Sequence, residues 1–147
     1  MLTARFSCIL AASFVAMTLV MGSTAVAETV KFTAALAGAN EVPAVAGKGK
    51  GSLSATYDPA TKVLTYMVTY SGLSGPVTAA HFHGATDAAH NAPVMVPVSG
   101  SLASPMKGSA TLTAAQAAAL TEGRMYFNVH TAQFKPGEIR GQVVKAK

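Results

Sequence analysis

Four histidines are the residues of this chain best suited to chemistry: His81, His83, His90 and His130. His81-Phe82-His83 lies in an alternating stretch, and residues two apart on a strand point to the same face. Both imidazoles then project from one side, with Cβ atoms roughly 7 Å apart, while Phe82 points to the other. That geometry suits one zinc or copper ion, for which imidazole is a good ligand. His130 belongs to a second alternating stretch, in which Met125, Phe127 and Val129 face inward and Tyr126, Asn128 and His130 face out. A hairpin onto the stretch that follows sets these three beside Glu138, Arg140 and Gln142. If the His81/His83 strand is the next neighbour, three imidazoles converge. Glu138 could then accept a ring N–H from outside the metal's own ligands, with Asn128 and Arg140 alongside. His90 is either a fourth ligand or an exposed loop residue. Two other uses of the cluster stay open: a structural hydrogen-bond network, or a contact surface for a sugar or a protein. Arg140 either pairs with Glu138 or recognises an anion.

Other chemistries find little support. There is no G-x-S-x-G; Gly72-Leu73-Ser74-Gly75 does not match it. Asp58 and Asp87 are the only aspartates, and Asp58 is needed by its turn. Nothing places two glutamates together as a glycosidase pair, and there is no phosphate-binding glycine loop. The basic residues are scattered, with Lys48 and Lys50 the densest group. No stripe and no stacking aromatics point to nucleic acid.

The elements that must position the histidines are strands. Period-two alternation recurs through Val30–Leu36, Leu53–Tyr57, Leu64–Tyr70, Ala80–His83, Val94–Val98, Ala110–Leu112, Met125–His130 and Glu138–Val143. Such half-buried segments predict an all-β antiparallel sandwich of immunoglobulin-like or Cu,Zn-superoxide-dismutase-like Greek-key type. Tyr57, Tyr66 and Tyr70 fall on core-directed positions. Asp58-Pro59-Ala60-Thr61 reads as a turn. Pro93 and Pro97 bracket an edge strand. Ala114–Leu120 is the exception: Thr113 and Gln116 have capping-box spacing and Gly123 fits the stop, which predicts one short helix. The small-residue stretch from Gly38 to Gly51 has few large anchors and is expected to be a mobile loop.

The chain has 147 residues, half of them hydrophobic and 12% charged, which suits one domain and excludes a charge-rich disordered chain. Its start reads as a leader. Arg5 is followed by an apolar run to about Met21 and by Ala25-Val26-Ala27, the order of a secretory signal peptide cleaved after Ala27. The run is shorter than the roughly 20 residues a membrane span needs. Residues 28–147 are then one exported domain, periplasmic or secreted, with no membrane span. Cys8 lies in the leader, so the mature chain has neither disulfide nor thiolate. Its ten basic and six acidic residues leave a mild charge of +4.

Three blocks carry a resemblance: Ala39-Asn40-Glu41-Val42-Pro43, Ala80-His81-Phe82-His83-Gly84, and Asn128-Val129-His130-Thr131 followed by Pro136-Gly137-Glu138-Ile139-Arg140-Gly141-Gln142. Together they resemble the CHRD domain, the module named after chordin, found singly in secreted bacterial proteins. The resemblance covers about Val30 to Val144. It implies a secreted, sandwich-like domain of undefined molecular function. The H-x-H strand also resembles that of copper/zinc superoxide dismutase. Four histidines and no mature cysteine fall short of that enzyme's ligands and disulfide. The expected function is a non-enzymatic binding module. Its ligand is a small molecule, an extracellular protein, or copper or zinc held by His81, His83 and His130. The alternatives are a metal-dependent extracytoplasmic enzyme, redox or hydrolytic, and an adhesive surface domain.

Overall fold

The computed structural model describes residues 28–147; the signal peptide expected over residues 1–27 lies outside them. Each alternating stretch overlaps a strand, though β6 begins four residues before the expected Ala110 and leaves Leu112 outside it. The elements are β1 (Val30–Ala37), β2 (Lys50–Asp58), β3 (Val63–Ser71), β4 (Val77–Gly84), β5 (Val94–Pro97), β6 (Met106–Thr111), helix α1 (Ala114–Thr121), β7 (Met125–Thr131), β8 (Ile139–Gln142) and β9 (Val144–Lys145). The fold is all-β, with one short α-helix among the described residues. Two-residue β9, which pairs with β1, is too short to leave a period in the sequence.

The strands follow the order β5-β4-β7-β8-β1-β2-β3-β6, and every pairing is antiparallel. Two four-stranded halves meet at one corner, where β8 touches β1 through Ala37 and Arg140. The chain approaches itself so closely there that a Cβ on Gly141 would overlap the carbonyl of Ala35. The halves fold over a shared core. Phe32, Leu53, Leu64 and Val68 come from one, and Phe82, Phe127, Val129 and Ile139 from the other. Tyr66 and Phe82 meet edge to face across it, with ring centres 5.2 Å apart. Burial of these side chains, without any disulfide, supplies the main stabilisation, about 1.5–3 kcal/mol for each large residue.

Local signals hold as well. Thr113 and Gln116 form a reciprocal capping box, and Gly123 takes a φ of +69° just past the helix. Asp58 caps its own turn through Ala60. The proline-flanked β5 is an edge strand.

The Gly38–Gly51 segment departs from expectation. It opens with a single 3₁₀ turn, Gly38–Asn40, and buries Glu41. Asn40 donates to the carbonyl of Arg140, Val45 to that of Gly38, and Asn91 to that of Val42. Hydrogen bonds within the segment, to β8 and from Asn91 anchor it in place of large apolar residues of its own.

Candidate metal centre

Pairing of β4 with β7 sets the histidines together. His81 lies opposite Asn128, His83 opposite Tyr126, and Ala79 opposite His130. One ring nitrogen from each of His81, His83 and His130 lies within 4.8 Å of the other two. His81 Nδ1 and His130 Nε2 are 3.0 Å apart. An ion at about 2.0–2.1 Å from three nitrogens needs them about 3.3–3.6 Å apart, so binding opens the His81–His130 contact slightly and draws the widest pair in by about an ångström.

Two backbone carbonyls fix the ring orientations. His83 Nδ1 donates to Ala92 at 2.8 Å, and His130 Nδ1 donates to Lys135 at 2.7 Å. A carbonyl can only accept, so in the neutral rings Nε2 carries the lone pair. His130 Nε2 therefore accepts from His81 Nδ1. His83 Nε2 is buried and has no hydrogen-bond partner. A ring N–H held by a carbonyl, with the other nitrogen left bare, is the usual dress of a metal-ligating histidine.

Electrostatics favour the neutral, metal-ready form. Burial holds the pKa of all three rings below the usual histidine value. His130 and then His83 push His81 further down, and His130 and Arg140 act the same way on His83. The Ala92 carbonyl and the Asn128 amide partly offset this at His83, and the Lys135 carbonyl does so at His130.

The outward face of these strands is not an open polar surface. Every residue of β7 is buried, and so are His83, Asn128, Glu138 and Arg140. Three loops roof it: residues 39–45, 85–93 and 132–137. Arg140, 1% exposed, is the peg that holds the roof. Its guanidinium donates to Asn91 Oδ1 and to the carbonyls of His90, Asp87 and Ala88. It lies 3.5 Å from the centre of the Tyr126 ring. His83 stacks on the same tyrosine at 4.8 Å, nearly parallel. Tyr126 thus links the peg to the histidine cluster.

Two expected partnerships do not form. Glu138 meets no histidine. Its carboxylate accepts from the backbone and hydroxyl of Ser74, both at 2.7 Å, and from Thr131 Oγ1 at 2.6 Å. Burial alone would raise its pKa, but the bonds from Thr131 and Ser74 hold it below the usual value. Glu138 does not pair with Arg140 either, because Ser74 and Thr131 claim the carboxylate while the roof carbonyls claim the guanidinium. His90 is exposed and bonds Asp87 at 2.7 Å, away from the other three imidazoles. Among the described residues no helix is long and apolar enough to cross a membrane.

Pattern alone missed Glu41, Asn91 and the stack on Tyr126. Glu41 is buried, its Oε1 has no partner, and burial raises its pKa to about 7 against the opposing pull of Arg140. Its place in the Asn40-Glu41-Val42-Pro43 block was the available signal.

A sandwich-like all-β domain with a roofed histidine cluster is therefore the class of protein in hand. The family model described as CHRD domain matches residues 32–143, and the chain belongs to that family. Searches of curated proteins and of solved structures find no match.

Proposed function

We propose that this chain is an exported, non-enzymatic CHRD-domain binding module that holds Cu(II) or Zn(II) through His81, His83 and His130. The single observation that carries this reading is the convergence of one ring nitrogen from each of three histidines within 4.8 Å, beside a buried and unpartnered His83 Nε2. Three neutral imidazoles suit either ion, and the general order of divalent affinities puts copper above zinc. The reading of the first 27 residues as a signal peptide supports export, where such ions are met.

Calorimetry of the purified mature domain at pH 7.5 tests the proposal. Heat of binding for at least one metal is expected, with a stoichiometry of one. No heat from either metal, or equal heat from a His81→Ala/His83→Ala variant, ends it. Binding is also expected to weaken only at pH values below the ordinary histidine range, because the folded protein keeps its imidazoles neutral further into acid.

A further inference from the structure

We infer that Asn128 is a fourth protein donor to this centre, so that the ion is enclosed rather than left open to substrate. The inference rests on the metal reading above and decides between holding an ion and using it. Asn128 occupies the middle of the cluster. It lies opposite His81, diagonal to His83 and two residues before His130 on the same face of β7. It is 2% exposed. Its Nδ2 donates to the carbonyl of Pro136, which can only accept, and this fixes which end of the amide carries the oxygen.

The oxygen at the other end, Oδ1, is buried with no partner. The amide touches the ring of His83, whose Nε2 is the other orphaned atom of the cluster. With Nδ1–H of His83 committed to Ala92, both atoms are lone-pair acceptors in the neutral ring that burial favours, and neither can satisfy the other unless Nε2 takes a proton. A cation can satisfy both at once. The donor set becomes three imidazole nitrogens and one amide oxygen. Four protein ligands are the mark of a structural zinc site, whereas a catalytic site keeps a position for water. Hard oxygen and imidazole, with no thiolate, also favour Zn(II) or Cu(II) over Cu(I).

Water-proton relaxivity of the Cu(II)-loaded protein reads the fourth position, and Zn(II) titration reads affinity. Wild type is expected to show low relaxivity. Asn128→Ala should raise relaxivity and weaken Zn(II) binding at least tenfold, an effect on the scale known for ligand-shell substitutions. Asn128→Asp, which keeps an oxygen, should recover both. Unchanged affinity and relaxivity in Asn128→Ala overturn the inference while leaving the triad standing. Wild type that binds neither metal brings down the triad itself. Should the variants lose their fold by circular dichroism, ¹⁵N NMR of wild type decides. Zn(II) must shift the side-chain NH₂ pair of Asn128 further than that of Asn91, and a stationary Asn128 pair refutes the inference.

Discussion

The two halves of this domain use the same core and treat their outer faces in opposite ways. On β1, β2, β3 and β6 the outward positions include Lys31, Thr33, Ser52, Ser54, Thr65, Met67 and Lys107, and these are exposed. Water, or for Ser52 the hydroxyl of Thr69, serves as their partner. On β4, β7 and β8 the outward positions include His83, Asn128 and Arg140, and loops take the place of water. There each polar atom must find a protein partner or go without. Among the described residues, the four buried side-chain atoms without one, on Glu41, His83, Asn128 and Gln142, all belong to the roofed half. A wet face tolerates unpaired groups at no cost. A roofed face leaves each at a cost of about 1–3 kcal/mol unless something binds there. The concentration of unmet bonding capacity in one half is what supports placing the proposed site there.

That contrast can be broken experimentally. Arg140→Ala should have the largest effect, a loss of about 3–5 kcal/mol, because it strands a set of roof carbonyls and unseats the stack on Tyr126. The equivalent change on the wet half, Lys31→Ala, should stay within about 0.5 kcal/mol. Urea denaturation of the two variants measures both, and equal losses would erase the distinction between the halves. Next in size is the metal itself. At one hundred times its Kd it should add about 2.7 kcal/mol. A rise in melting temperature on Zn(II) addition, absent from His81→Ala/His83→Ala, would localise that gain to the roofed half.

Two pH effects of smaller size have opposite signs. The carboxyl of Glu41 titrates at about 7 when folded, against 4.5 for an unperturbed glutamate. The folded protein therefore binds more protons between these values, and stability falls as pH rises through that window. Glu41→Gln should remove the loss and be more stable than wild type at pH 8 by about 1–2 kcal/mol, a figure set below the full shift because the burial is incomplete. The three imidazoles act the other way. Their folded pKa values lie below the ordinary 6.5, so their contribution is intact above pH 6.5 and is lost as pH falls through the folded values. Melting curves of the metal-free protein between pH 5 and 8 separate the two. The smallest effect is expected from Thr65→Ala on the wet face, within about 0.5 kcal/mol at any pH.

Much of the framework was legible from residues alone because it depends on local rules. Alternation placed β1 to β8, Thr113 with Gln116 placed the helix cap, and Pro93 with Pro97 marked the edge strand. The outward sharing of one face by Tyr126, Asn128 and His130 followed from the same period. The partners of Glu138 and Arg140 were not legible. Ser74 lies 64 residues from Glu138, and Asn91 lies 49 from Arg140. Period-two reasoning assigns a side chain to a face but says nothing about what covers that face.

The sequence by itself determined that this is an all-β chain, which face His81, His83 and His130 take, and which residue types could grip a metal. Those properties follow from steric and solvation rules acting over a few neighbouring residues. Only the tertiary structure decided that β4 lies beside β7, that three loops close over the cluster, and that Arg140 rather than Glu138 organises it. Those outcomes come from long-range pairing and from the need to satisfy buried polar groups, which no short window of residues contains.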